Sequence, residues 1–151
     1  MITEDRFEGF VRDAEPRLRR ALLGAVGADR VDDAVAEALA WACQHPEELS
    51  AMGNPVGYLY RVGQSKVRYR REVRLFAMPP APIPDVEPGL VAALGELPES
   101  QRTAIWLAHG CGWTHAEVAM VMEIAPSTVA THVSRGLRRL REAMGVVDAH
   151  S

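Results

Sequence analysis

The stretch Gly112–Met144 reads GWTHAEVAMVMEIAPSTVATHVSRGLRRLREAM and encodes one short helix, a tight turn and a longer basic helix. Thr114 is a candidate N-cap, and Glu117, three residues later, completes the spacing of a capping box. Pro126 suits the first position of the second helix, where its missing N–H group costs no hydrogen bond. This layout predicts a helix-turn-helix, whose second helix can enter the major groove of DNA.

The second helix of this motif has an apolar side and a polar, cationic side. The apolar residues recur at helical spacing and are Val129, Val133, Leu137, Leu140 and Met144. The other positions offer hydrogen-bonding groups and cations for duplex DNA, at Ser127, Thr128, Thr131, His132, Arg135, Arg138 and Arg139. Arg135 is the best candidate for a base contact, whereas Arg138 and Arg139 are expected to contact phosphates. The alternative is an ordinary surface helix whose arginines form its solvated face.

Charge is distributed unevenly along the 151 residues, whose net charge is −3. Residues 57–76 hold six Lys and Arg against one Glu, and residues 126–151 hold four Arg against two acids. Residues 1–56 are acidic, with six Arg against eleven Asp and Glu. Two basic segments in an acidic chain suit two separate nucleic-acid contacts, with acidic surfaces left for other partners.

Composition and length indicate two small helical domains. The segment 77–89 holds five prolines in thirteen residues, which disfavours a helix and predicts a linker. We therefore expect an all-α fold with domains at 1–76 and 90–151. No apolar run is long enough to span a membrane, and the acidic N-terminus does not resemble a signal peptide, so a cytoplasmic protein is expected.

The first domain is predicted to contain a helix interrupted near Pro16, a second helix over about 29–44, a loop over 45–54 and a third helix over about 55–75. The third helix has Asn54 as a candidate N-cap. Its basic residues are interleaved with tyrosines, as in surfaces that stack unpaired bases while cations follow the phosphates. Tyrosines at helical spacing are also common in helix cores, so both readings stay open.

Three blocks of the chain together resemble the extracytoplasmic-function sigma factors of bacterial RNA polymerase. DDAVAEALAW, at 32–41, is similar to the second helix of sigma region 2. NPVGYLYRVGQSKVRYRR, at 54–71, is similar to the promoter-melting helix, and residues 97–141 are similar to region 4. Their order across a proline-rich linker, without a region 3, carries the resemblance.

The resemblance implies a non-enzymatic transcription initiation factor that needs no metal or cofactor, because polymerase supplies the chemistry. Its partners would be core RNA polymerase, through the β′ clamp helices and the β flap, promoter DNA, and an anti-sigma factor as a further candidate. The clamp helices would contact Asp32, Asp33 and Glu37. The melted minus-ten strand would contact Asn54, Tyr58, Arg61, Lys66, Arg68 and Arg70. The helix from Pro126 would read the minus-thirty-five duplex.

Four positions depart from the pattern of the family. Ala36 stands where glutamine is frequent, and Cys43 stands where an aromatic residue is usual, with Trp41 two residues earlier. Glu123 occupies the usual glycine position of the turn, and Ala125 replaces a polar N-cap. Either the geometry of the turn differs or the motif is less stable, because each change costs on the order of 1 kcal/mol.

Two other classes of function compete with this reading. A helix-turn-helix regulator that never engages polymerase would explain the C-terminal half but leave the resemblance in residues 29–71 unused. A zinc site could use His109, Cys111 and His115, but their spacing is not that of a standard finger and no fourth ligand is nearby.

Overall fold

The computed structural model describes residues 3–72 and 88–145, with side chains described for 3–67 and 89–145. The described residues form helices and no strand, which confirms the predicted all-α fold. The chain divides into two compact units, Met1–Pro79 and Pro80–Ser151. The domain bounds 1–76 and 90–151 stay a prediction, because most of the expected linker at 77–89 lies outside the described residues.

The first unit contains four helices over its described part. They are α1 (Glu4–Val26), α2 (Val31–Gln44), α3 (Pro46–Ser50) and α4 (Pro55–Glu72). α1 begins after Thr3, whose hydroxyl accepts a hydrogen bond from the Arg6 N–H, and it ends at Gly27 with a φ of 89°. The glycine tolerates this positive φ without steric cost.

Two local predictions for the first unit are wrong. α1 is continuous through Pro16, which lies on its exposed side, where the carbonyl that a proline leaves unbonded can be hydrated. The expected loop at 45–54 contains α3, which begins at Pro46 and has Glu47 and Glu48 in its first turn. Leu49 is buried, so packing against the unit stabilises a helix too short to form alone.

The core of the first unit lies where α2 and α4 pack against each other and against α1. Its fully buried side chains include Leu18, Leu22, Ala34, Ala38 and Leu59. The α2–α4 approach is close at Gly63, where an added Cβ would lie 2.7 Å from the carbonyl oxygen of Ala34. This contact fixes the distance between the acidic helix α2 and the basic helix α4.

The second unit contains α5 (Pro88–Glu96), α6 (Glu99–Ile105), α7 (His115–Met122) and α8 (Pro126–Ala143). α6 continues as one π-helical turn, Trp106–Gly110. Leu94, Leu97, Ile105 and Leu140 belong to a buried cluster that α5, α6 and α8 share. α8 is thereby held on one side by the rest of the unit.

None of the helices in the described ranges is both long enough and apolar enough to cross a membrane.

Candidate nucleic-acid interface

The first helix of the helix-turn-helix is fixed at its start by the predicted capping box. The Thr114 hydroxyl accepts a hydrogen bond from the Glu117 N–H at 3.1 Å, and the Glu117 carboxylate accepts one from the Thr114 N–H at 3.0 Å. Two amide groups that a helix start leaves unsatisfied are thus paired. α7 therefore begins at one defined residue, which sets the position of the turn that follows.

The turn keeps a left-handed residue although glycine is absent from it. Glu123 has φ 58° and ψ 43°, and it is the one residue other than glycine with positive φ in the described chain. Ala125 has extended backbone at the N-cap of α8 and makes no side-chain capping bond, while Pro126 begins the helix. Of the two possibilities raised by the sequence, the structure shows a turn of normal geometry, in which Glu123 adopts the left-handed backbone conformation.

Glu123→Gly is expected to raise the free energy of unfolding of the second unit by about 1 kcal/mol, because glycine adopts positive φ without a Cβ clash. Thermal unfolding followed by circular dichroism measures this change. Glu123→Ala is the matched control, since it removes the same side chain and keeps the strained backbone. Equal stabilities for the glycine and alanine variants would contradict the assignment of strain to this residue.

α8 separates its DNA-facing candidates from its core residues. Val129, Val133, Gly136 and Leu140 are buried. The candidate residues are exposed or partly exposed, and they are Ser127, Thr128, Thr131, His132, Arg135, Arg138 and Arg139. At 3.6 residues per turn, these seven positions cover an arc of about 140° on the opposite side. The structure thus brings the predicted set together on one surface.

One of these hydroxyl groups already has a local partner. The Thr131 hydroxyl donates a hydrogen bond to the carbonyl of Ser127, one turn earlier, at 3.1 Å. Its oxygen can still accept a hydrogen bond, whereas its proton is engaged within the helix. Arg135 is exposed on the same side of the helix. It reaches farther into a groove than either hydroxyl residue because its side chain is longer.

Asn54 caps α4, as the sequence suggested. Its side-chain oxygen accepts a hydrogen bond from the Gly57 N–H at 3.0 Å. Its amide nitrogen Nδ2 is buried and has no hydrogen-bond partner within residues 3–67 and 89–145. Such a group carries a desolvation cost unless a partner satisfies it. The capping oxygen thus has a structural role, and the buried amide group is left without a bond among the described residues.

The remaining melting candidates lie along α4. Tyr58, Arg61 and Lys66 are exposed on this helix. The side chains of Arg68 and Arg70 lie outside the described residues. The described part therefore presents one aromatic ring and two cations on the exposed surface of α4.

The acidic residues of α2 differ in their surroundings. The Asp32 carboxylate accepts a hydrogen bond from the Arg19 guanidinium of α1 at 2.5 Å, and Arg19 also binds Glu15 at 2.6 Å. The hydrogen bonds that Arg19 donates to Asp32, and to a smaller extent to Glu15, raise the pKa of Arg19. Asp32 thus links α1 to α2, a contact that the sequence did not predict. Asp33 is exposed, and Glu37 is partly buried.

Two surface features of the first unit were missed by sequence reasoning. Trp41 contacts both His45 and Tyr58, so that rings from α2, the residue after it and α4 form a cluster. A groove next to the 51–54 loop is lined by Arg6, Phe7, Phe10, Leu49, Ser50, Met52 and Pro55. The i, i+4 spacing of Trp41 and His45 was visible in the sequence, but their contact with α4 was not.

Within residues 3–67 and 89–145, no group of three or more His, Cys, Asp or Glu side chains is placed to hold a metal ion. His109 and His115 are exposed, and Cys111 is partly buried in the same segment. The described chain therefore offers no support for the zinc site that this segment could have formed.

Residues 89–140 match the family described as "Sigma-70, region 4". This segment runs from α5 through α7 and the turn to Leu140 of α8. No curated protein sequence matches the chain significantly.

Several solved structures share the fold over most of the chain. The structure of the sigma factor RpoE with the anti-sigma factor NepR from Bartonella quintana matches with a TM-score of 0.76 and 25% identity, over 97% of this chain and 100% of that chain. CnrH with the cytosolic domain of CnrY matches with 0.70 and 22%, over 97% and 92%. The PhyRSL–NepR complex from Sphingomonas sp. Fr1 matches with 0.70 and 21%, over 89% and 86%.

Proposed function

We propose that this chain is an extracytoplasmic-function sigma factor, which binds core RNA polymerase and directs it to promoters by reading one promoter element with each unit; the match to region 4 and the shared fold support this. The second unit would read the minus-thirty-five element as duplex DNA. The first unit would recognise the minus-ten element and stabilise its melted strand. The observation that carries the proposal is the exposed arc of hydrogen-bonding groups and arginines on α8, within the segment that matches region 4.

Duplex reading is supported by the geometry of α8. The helix is backed along one side by Val129, Val133 and Leu140, so its other side can enter a major groove without exposing core residues. Arg135 lies within the arc and can make a bidentate contact with guanine. Arg138 and Arg139 are one turn further along the helix, where they would neutralise backbone phosphates.

Arg135→Ala is expected to relax specificity at one base pair of the minus-thirty-five element, because a bidentate arginine–guanine pair discriminates by about 1–3 kcal/mol. Arg139→Ala should weaken binding to all sequences alike and lower the slope of log affinity against log salt by about one. Selection of bound sequences from a randomised duplex library, followed by salt titration, measures both effects. Uniform weakening by both variants would show that Arg135 contacts phosphate and not a base.

Melted-strand recognition is supported by the surface around the start of α4. The buried Nδ2 group of Asn54 has no hydrogen-bond partner among the described residues, and the next residue, Pro55, lines a concave groove. Arg61 and Lys66 provide positive charge along the same helix. Enzymes and binding proteins that hold an unstacked base combine such polar groups with an apolar pocket. We infer that Asn54 both caps α4 and donates to an unpaired minus-ten base.

Polymerase binding is assigned to the exposed acidic side of α2. Asp33 supplies a carboxylate that is not held by the α1 ion pair, whereas Asp32 is bonded to Arg19. The polymerase surface that receives α2 would then be cationic, because opposite charges guide docking. Asp32 would contribute mainly by fixing α2 against α1.

Regulation by an anti-sigma factor is also part of the proposal. RpoE and CnrH, whose structures match this chain along most of its length, were solved with the anti-sigma factor NepR and the cytosolic domain of CnrY, respectively. We infer that a protein of that regulatory class binds this chain and withholds it from polymerase.

A further inference from the structure

Two helices of the first unit are joined by one arginine that binds two carboxylates, and we call Glu15, Arg19 and Asp32 the Arg19 bridge. The Nε atom of Arg19 donates to Oε1 of Glu15 at 2.6 Å, and its Nη1 atom donates to Oδ1 of Asp32 at 2.5 Å. Glu15 and Arg19 lie one turn apart on α1, whereas Asp32 is in the first turn of α2. The bridge therefore places a cation of α1 against the acidic side of α2.

The guanidinium of Arg19 is held in position by its own helix. Glu15 precedes it by four residues, the spacing at which side chains of one helix face each other. Two different nitrogen atoms of the planar group donate to the two carboxylates, so that both bonds form at once. Because Glu15 restrains Arg19, less side-chain entropy is lost when Arg19 also binds Asp32.

The Arg19 bridge lies at the surface and not in the core. The side chain of Asp32 is 84% exposed, and that of Arg19 is 42% exposed. Exposed ion pairs stabilise a fold only slightly, because water screens the two charges. The same exposure leaves the Asp32 carboxylate accessible to a partner molecule. The bridge therefore has more effect on the charge that α2 presents to a partner than on the stability of the unit.

The Arg19 bridge lowers the negative charge on α2. Asp32, Asp33 and Glu37 place three carboxylates within about 7.5 Å along the axis of this helix. The guanidinium of Arg19 neutralises one of them. A cationic surface that approaches α2 is then attracted by two carboxylates instead of three. It is also repelled by Arg19 itself, which lies within the Debye length of about 10 Å that holds at 0.1 M salt.

We propose that the Arg19 bridge is an autoinhibitory contact that lowers the affinity of the chain for core RNA polymerase. Arg19 occupies the Asp32 carboxylate, which without it would pair with a cation of polymerase. The inference rests on the proposed function, because it concerns the acidic side of α2 that is assigned there to polymerase. It adds a residue of α1 that limits binding at this surface.

Arg19→Gln in the full chain should raise the affinity for core RNA polymerase by about 2- to 5-fold, the range expected for one exposed ion pair. Titration of immobilised core enzyme with the chain, at about 0.05 M and about 0.5 M salt, measures the change, and the gain should shrink at the higher concentration because ions screen the charges. Arg12→Gln is the matched control. It makes the same change in net charge at an exposed position of α1 and should leave the affinity nearly unchanged.

A double-mutant cycle separates the Arg19 bridge from a general effect of net charge. In a chain that carries Asp32→Asn, the change Arg19→Gln should raise the affinity no more than Arg12→Gln does, because the carboxylate that it would release is absent. A purely structural bridge predicts a different result for Arg19→Gln alone. Loss of a contact that positions α2 would lower the affinity and the thermal unfolding temperature together.

Unchanged or lower affinity of the Arg19→Gln chain would overturn the autoinhibitory contact. An equal gain with and without the Asp32 carboxylate would also overturn it, since the charge of Arg19 would then act without the bridge. If the wild-type chain fails to bind core polymerase at all, the proposed function itself is wrong and this inference is lost with it.

Discussion

Reversing the charges of Asp33 and Glu37 together is expected to abolish co-purification of the chain with core RNA polymerase. Both residues lie on α2, and Asp33 is exposed there. Placing two arginines against a cationic surface replaces attraction by repulsion, which costs several kcal/mol and lowers affinity by roughly 100-fold or more. Pull-down of core enzyme with the tagged full-length variant Asp33→Arg, Glu37→Arg measures the loss.

The matched control is Glu8→Arg with Asp13→Arg, which makes the same change in net charge at exposed positions of α1. Circular dichroism should show unchanged helicity in both double variants. Asp33→Arg alone separates the exposed carboxylate from the partly buried Glu37. Full retention of core enzyme by the α2 double variant would reject this interface and would favour a DNA-binding regulator that acts without polymerase.

Gly63→Ala is expected to destabilise the first unit by about 1–3 kcal/mol, because the new methyl group would meet the neighbouring helix. An added Cβ would lie 2.7 Å from the carbonyl oxygen of Ala34 and 3.0 Å from Cδ1 of Leu22. The leucine can change rotamer, but the carbonyl belongs to the backbone of α2 and cannot move alone. Native-state hydrogen exchange of the α2 and α4 amides measures the change where it occurs.

Gly9→Ala is the control for Gly63→Ala, because no atom lies within 4 Å of the added Cβ in the same unit. It should stabilise α1 by up to about 1 kcal/mol through helix propensity. Gly136→Ala offers a second comparison, since its Cβ would lie 2.3 Å from Cδ1 of Ile105, the end of a flexible side chain. Ile105→Val should relieve most of that clash. Equal stability of the Gly63 and Gly9 variants would contradict the close approach of α2 and α4.

The helix-turn-helix shows how far local sequence determines structure. Thr114 and Glu117 bond each other across three residues, and Pro126 begins α8 directly after the turn. The apolar spacing of α8 identified its buried side, because a helix of known period needs no further information to place residues on its faces. The expected exposed arc on α8 follows from the same periodicity.

The first unit shows where local reasoning fails. α3 has a proline at its start and acids in its first turn, but its five residues form a helix only because Leu49 is buried against the unit. Pro16 was expected to interrupt α1, yet packing on both sides of it keeps the helix continuous, with Ala14 and Leu18 buried. In both cases tertiary contacts outweigh the propensity of a short segment.

The sequence by itself determined the helical class, the start of each helix-turn-helix element and the polar surface of α8, since these depend on residues within about one turn of each other. Tertiary structure alone decided that Asp32 bonds Arg19 of α1, that Tyr58 meets Trp41, and that Gly63 meets the backbone of α2. The partners in these contacts are far apart in the sequence. They meet only once burial of apolar side chains has fixed the distances between helices.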